Sequence, residues 1–174
     1  MKGSVGTVHV LCTVLLYTVQ QASAKLCWEE CTDLGVVQNV DIHGCRRRSS
    51  YPLQQDFKCN GRTGPPCTTL RGDTVYLDLH WKDEGHQNIT QNVVWQSGFF
   101  DLPWVGMETE ICKYTNGGQG CPGSGENGVS NVQFPIQILD MYPAGKYNLK
   151  WEILDRTSEG SKTLACFLIT VKIM

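Results

Sequence analysis

The chain has 174 residues, 41% of them hydrophobic, and 15 Lys and Arg against 17 Asp and Glu give a formal net charge of −2. That length allows a single domain with a real core. The weakly acidic balance excludes nucleic acid as the main partner, because phosphate binding needs a basic face.

The first segment, residues 1–24, reads as a secretory signal peptide. Lys2 gives a positive start, Val8 to Val19 form an apolar run, and Ala22-Ser23-Ala24 is a small-residue cleavage site. The run is shorter than the ~20 apolar residues a membrane span needs. Cleavage before Lys25 leaves one domain over residues 25–174, placed outside the cell or in the secretory or lysosomal lumen.

Beyond the leader the hydrophobic pattern has period two, with almost no helical period. Residues 35–42 (GVVQNVDI) form a first, weak strand. In TVYLDLHW, Val75, Leu77, Leu79 and Trp81 face one way, and Tyr76, Asp78 and His80 the other. Residues 91–100 (QNVVWQSGFF) and 104–111 (WVGMETEI) read as two further weak strands. In VQFPIQIL, Val132, Phe134, Ile136 and Ile138 alternate with polar residues, and Pro135 marks an edge or a bulge because it cannot donate to a ladder. In GKYNLKWEIL, Tyr147, Leu149, Trp151 and Ile153 share a face; in the last strand Phe167, Ile169, Val171 and Ile173 do. About seven strands joined by turn-rich loops predict an all-β chain, an antiparallel β-sandwich that is apolar inside and polar outside.

Cys12 leaves with the leader, and the remaining cysteines are Cys27, Cys31, Cys45, Cys59, Cys67, Cys112, Cys121 and Cys166. An even set in an oxidising compartment implies four disulfides, with many pairings open. Zinc would want paired C-x2-C or H-x3-H spacings, which do not occur, so no metal is expected. In EICKYTNGGQGCP, Cys112 and Cys121 flank an Asn- and Gly-rich loop, most simply closed by a disulfide. A closed loop of that size contributes ~2–3 kcal/mol and holds the glycines still.

Catalytic chemistry is poorly represented, and no enzyme activity or cofactor is expected. Ser124 lies in PGSGE, where Pro122 replaces the first glycine of a nucleophile elbow. His43, His80 and His86 are scattered, and Glu108 and Glu110 share a strand face with nothing buried to set their acidities apart. Arg46-Arg47-Arg48 reads as a solvated run, or one touching anionic lipid head groups. Arg71-Gly72-Asp73 spells an integrin tripeptide but sits where a tight turn must enter a strand. Asn88-Ile89-Thr90 is a glycosylation sequon. The unusual feature is apolar excess. Trp95, Phe99, Phe100, Trp104, Val105, Met107 and Ile111 follow closely along the chain, and Phe134, Trp151 and Phe167 lie on other strands. A packed core accounts for most of them; an apolar cavity taking an apolar guest is the alternative.

Three stretches carry a family resemblance. CTDLGVVQNVDIHGC (31–45) sets an alternating strand between two cysteines. MYPAGKYNLKWEILD (141–155) follows Tyr-Pro with an alternating strand holding Trp151, and LACFLITVKI (164–173) puts an aromatic after the last cysteine. In this order they resemble the ML lipid-recognition family, which includes the Niemann-Pick type C lysosomal sterol-transfer protein, group 2 mite allergens and the Toll-receptor lipopolysaccharide co-receptor. The resemblance covers nearly all of residues 27–174.

It implies an immunoglobulin-like sandwich of two antiparallel sheets with an apolar cavity between them. It implies the disulfides Cys31–Cys166, Cys45–Cys67 and Cys112–Cys121, the last a staple near the pocket mouth. Cys27 and Cys59 are extra to that pattern and are left to pair with each other, tying the 46–66 insertion to the N-terminal segment. The implied lipid-lining residues are Phe99 or Phe100, Trp151 and Phe167, with Val105, Val132 and Phe134 as neighbours. The implied function is binding and transfer of a sterol or similar single lipid; the expected partners are a sterol or fatty-acyl lipid and a membrane or receptor, and the chain is expected to be a monomer. The alternatives are an innate-immune lipid co-receptor and a glycolipid activator.

Overall fold

The computed structural model, which describes residues 26–46, 59–61, 64–121, 128–157 and 160–174, holds nine strands. They are β1 (Trp28–Glu30), β2 (Val37–His43), β3 (Cys67–Thr69), β4 (Thr74–Lys82), β5 (Ile89–Gln96), β6 (Asp101–Pro103), β7 (Val129–Gln137), β8 (Gly145–Thr157) and β9 (Gly160–Ile173). Alternation of buried and less buried side chains runs through β4, β7 and β8. A six-stranded sheet runs β1-β9-β8-β5-β6, with β3 also pairing β9; a three-stranded sheet runs β2-β4-β7. All pairings are antiparallel except β3 with β9. The protein is therefore an all-β sandwich of two sheets.

The core lies between the sheets. Val75, Leu77, Leu79 and Trp81 of β4 and Val132, Phe134 and Ile136 of β7 are buried on one side. Tyr147, Leu149, Trp151 and Ile153 of β8 and Phe167, Ile169, Val171 and Ile173 of β9 are buried on the other. Pro135 lies on β7, an outer strand of its sheet, where its missing N–H costs no ladder bond.

The weaker strands differ from the sequence reading. The strand expected over 91–100 ends at Gln96, because Ser97 turns the chain: its N–H and hydroxyl both donate to Phe100 O, at 3.2 and 2.6 Å. Gly98 takes φ +95° there. The strand expected over 104–111 is not formed. Instead β6 pairs β5 briefly, Trp104 N donates to Val93 O at 2.9 Å, and the chain swings out through Val105-Gly106. It returns where Gln91 N donates to Thr109 O at 2.8 Å. Gly106 is needed at this swing: φ is +83°, and a Cβ would lie 2.8 Å from Leu139 Cδ1. The three-residue strands β1, β3 and β6 are too short for alternation to be read.

The cysteines form Cys27–Cys59, Cys31–Cys166, Cys45–Cys67 and Cys112–Cys121, the four pairings set out above. Cys31–Cys166 spans 135 residues of sequence and fastens the segment after β1 to the middle of β9. Residues 1–24, Arg47, Arg48 and Ser124 lie outside the described residues.

Candidate functional site

Four of the seven anticipated lining residues come together in the middle of the sandwich. Inward positions two apart put Val132 and Phe134 on one face of β7, opposite Trp151 of β8 and Phe167 of β9, and all four are buried. The Phe134 and Trp151 ring centroids lie 6.4 Å apart at 75°; Trp151 and Phe167 stack at 5.9 Å and 10°. The result is an aromatic column crossing from one sheet to the other.

The remaining three are not in this column. Phe99 is 97% exposed and Phe100 63%, because they sit in the β5–β6 turn rather than on a strand. Val105 is 57% exposed at the Gly106 swing. Met141, in the β7–β8 loop, is 70% exposed. The loops carrying these residues lie at one end of the sandwich, beside the start of β8.

Beneath that end lies an aromatic nest. Trp104 packs against Tyr142 at 4.5 Å and Tyr147 at 5.3 Å, and Tyr147 meets Trp95 edge-on at 5.1 Å. Tyr147 OH donates to Pro143 O at 2.6 Å, and Tyr142 OH donates to Val105 O. Burial pushes both phenols above the usual tyrosine range, so they stay protonated donors. Trp104 and Tyr147 were visible in the sequence as apolar residues, but their meeting was not, since it needs the swing at Gly106.

Gln91 was missed entirely. It occupies the inward face of β5 with Ile89 and Val93, and it is buried. Its Oε1 accepts from Trp151 Nε1 at 2.9 Å, and its Nε2 donates to Glu108 O at 2.6 Å. One amide thus fixes the central indole and fastens the 104–111 segment to the edge of β5. A polar residue among Ile89, Val93 and Trp95 on one strand face was the available signal.

The disulfide loop packs against the column. Tyr114 meets Phe134 edge-on at 5.0 Å, Thr115 is wholly buried and bridges to Val132, and Asn131 N donates to Asn116 Oδ1 at 3.2 Å. Cys112–Cys121 closes this loop over the start of β7.

The polar candidates are otherwise engaged. Asp73 of the integrin-like tripeptide accepts a forked pair of bonds from Arg46 at 3.1 and 3.2 Å, and others from Leu70 N at 2.9 Å and Thr69 Oγ1 at 3.3 Å. The Arg46 bond, then that from Leu70 N–H, lower its carboxyl from 3.8 to about 2. A carboxylate held so has a structural role in its turn. Glu108 is held below the usual carboxylate range by Lys113 and Tyr114, at 2.7 and 3.1 Å. Asp83 is buried, touching His86 and accepting from Ser130 Oγ at 2.8 Å, so this serine gives its proton to a carboxylate rather than a histidine. His43 and His80 flank Asp78 on the three-stranded sheet, at 3.5 and 3.1 Å. Among the described residues no cluster of three or more His, Cys, Asp or Glu is placed to hold a metal ion, and no helix is long and apolar enough to cross a membrane.

Comparison with known proteins agrees with this architecture. The ML-domain family profile matches residues 21–173. No curated protein matches in sequence. Among solved structures, a Niemann-Pick type C2 protein from the Japanese carpenter ant superposes with a TM-score of 0.60 at 16% identity, over 84% of this chain and 98% of that one. At that identity the likeness is one of fold. The family match spans nearly the whole chain, and the two-sheet sandwich with its disulfides is the architecture the resemblance implied: the chain belongs to the ML-domain family, a lipid-binding family.

Proposed function

We propose that this protein binds one lipid, a sterol or similar, between its two sheets and carries it through water. The observation that carries the reading is the aromatic column Phe134–Trp151–Phe167 in a chain of this family. The sheets face each other through apolar side chains, so parting them to admit a guest breaks dispersion contacts rather than ladder hydrogen bonds. A sterol-sized guest burying ~400–500 Å² of apolar surface gains ~10–12 kcal/mol. Association costs remove at least ~4 kcal/mol, leaving reversible binding near the micromolar range, which suits a carrier. The reading needs no catalytic step and no cofactor.

Val132, Phe134, Trp151 and Phe167 form the proposed binding wall. The exposed set Phe99, Phe100, Val105 and Met141 is proposed as the part that meets a membrane or receptor during handover, since apolar side chains gathered on loop tips favour an apolar partner. The protein is proposed to act as a monomer outside the cell or in the lysosomal lumen, after removal of residues 1–24. Asn88 is exposed beside β5 and is proposed to carry a glycan, whereas Thr90 of the same sequon is buried, so attachment precedes folding. Titration with a fluorescent sterol tests the function: saturable uptake of one molecule per chain is expected, and no saturable uptake of sterol or phospholipid overturns it.

A further inference from the structure

Three indoles lie in the interior, and their N–H groups are treated differently. Trp151 Nε1 donates to Gln91 Oε1 at 2.9 Å. Trp81 Nε1 and Trp104 Nε1 are buried without an acceptor among the described residues. Buried donors are almost always paired, so each marks a place where an acceptor belongs.

The two sites differ in their surroundings. Trp81 is wholly enclosed on the central strand of its sheet, between Val37 of β2 and Ser130 of β7. Trp104 is 7% exposed and lies where the chain leaves the ladder, directly before exposed Val105. Its neighbours Tyr142 and Tyr147 have already committed their hydroxyls to Val105 O and Pro143 O. Of the polar tips of Trp104, Tyr142 and Tyr147, the Trp104 N–H is the one uncommitted among the described residues, and it is more deeply buried than the partly exposed Trp95. From Tyr147 the inward face of β8 continues through Leu149 to Trp151, and so reaches the aromatic column.

Resting on the carrier reading above, we propose that the Trp104 indole N–H is the donor that fixes the polar end of the bound lipid. The ligand's apolar body then lies along β8 toward Phe134 and Phe167. A single neutral donor in an aromatic nest suits a compact uncharged acceptor, such as a hydroxyl or carbonyl oxygen. An anionic head group would need more donors to replace its water, and a cation has no lone pair to offer. Trp104 is thus a specificity-determining residue: it selects a lipid with an oxygen at its end over a hydrocarbon of the same shape.

The test compares cholesterol with cholest-5-ene, which lacks the hydroxyl, each delivered from cyclodextrin to the wild-type protein, Trp104→Phe and Trp81→Phe. One net hydrogen bond predicts a wild-type preference for cholesterol of ~5–10-fold. Trp104→Phe should bind both at the hydrocarbon's affinity, and Trp81→Phe should keep the preference. In a nitrogen-15 spectrum of the wild-type protein, the Trp104 indole resonance should move on adding cholesterol and stay for cholest-5-ene, a readout that does not depend on the variant folding. An unchanged preference in Trp104→Phe, or an indole resonance that ignores the hydroxyl, overturns the assignment and leaves the carrier reading standing. If the wild-type protein takes up neither compound, the carrier reading falls and takes this inference with it.

Discussion

Trp151 and Phe100 are both large aromatic side chains that the family resemblance implied for one lipid wall. The first is wholly buried, its ring stacked on Phe167 and its N–H held by Gln91; the second is 63% exposed in a hairpin turn. The middle of the sandwich spends its aromatic residues on cohesion. The end formed by the β5–β6 turn, the Gly106 swing and the β7–β8 loop leaves two of its own, Phe99 and Phe100, in water, beside exposed Val105 and Met141. Changes in the middle therefore cannot separate binding from folding, whereas changes at the exposed end can.

The largest expected effect is on the middle and is covalent. Replacing Cys31 and Cys166 by Ser opens a link spanning 135 residues, at a cost of ~4–5 kcal/mol, read as a drop in the denaturant midpoint. Trp151→Ala should cost ~3–5 kcal/mol, since it removes a fully buried ring and leaves Gln91 Oε1 without its donor. If either variant unfolds at the wild-type midpoint, the middle is not the cohesive part.

Gly106→Ala sharpens the boundary between the regions. It strains a backbone at φ +83° and crowds Leu139, for ~1–2 kcal/mol, and it should disturb the Trp104 nest before the Trp151 column. Near-ultraviolet circular dichroism and the indole N–H resonances of the two residues report which moved. A change confined to Trp151 would contradict the picture.

The double substitution Phe99→Ser, Phe100→Ser should alter stability by no more than ~0.5 kcal/mol. It should slow sterol transfer between vesicles while leaving affinity in solution unchanged. Equal transfer rates would remove the turn from the handover surface. The smallest effect belongs to Asp73. Its carboxyl falls from 3.8 to about 2 on folding, so its stabilisation is complete above the unfolded value and is lost as pH falls from near 4 toward 2. Asp73→Asn should flatten the acid limb of the stability curve in that window, read from denaturant midpoints at successive pH values.

Where alternation ran long, the sequence spoke clearly. β4, β7, β8 and β9 each run nine or more residues, and the inward residues predicted for them, Val75 to Trp81, Val132 to Ile136, Tyr147 to Ile153 and Phe167 to Ile173 at every second position, are buried. Phe134, Trp151 and Phe167 were placed from those faces and do meet. Phe99, Phe100 and Val105 were expected on strands and lie in loops, because the apolar run from Trp95 to Ile111 offers no long alternation. Its path is set by Gly98 and Gly106 and by backbone bonds to Val93 and Gln91, which are tertiary facts. Gln91 left only the faint signal of a polar residue on an apolar strand face, and the Trp104 N–H, without an acceptor among the described residues, left none: a polar atom's meaning depends on its neighbours, and those come from distant parts of the chain.

Native mass spectrometry of the secreted protein, purified without detergent and then offered one equivalent of sterol, tests the central claim most directly. The account predicts a folded chain carrying one non-covalent lipid, either retained from the cell or taken up from the added sterol. A folded chain that stays empty with sterol and with phospholipid would mean that the column Phe134–Trp151–Phe167 is core alone, and would contradict it.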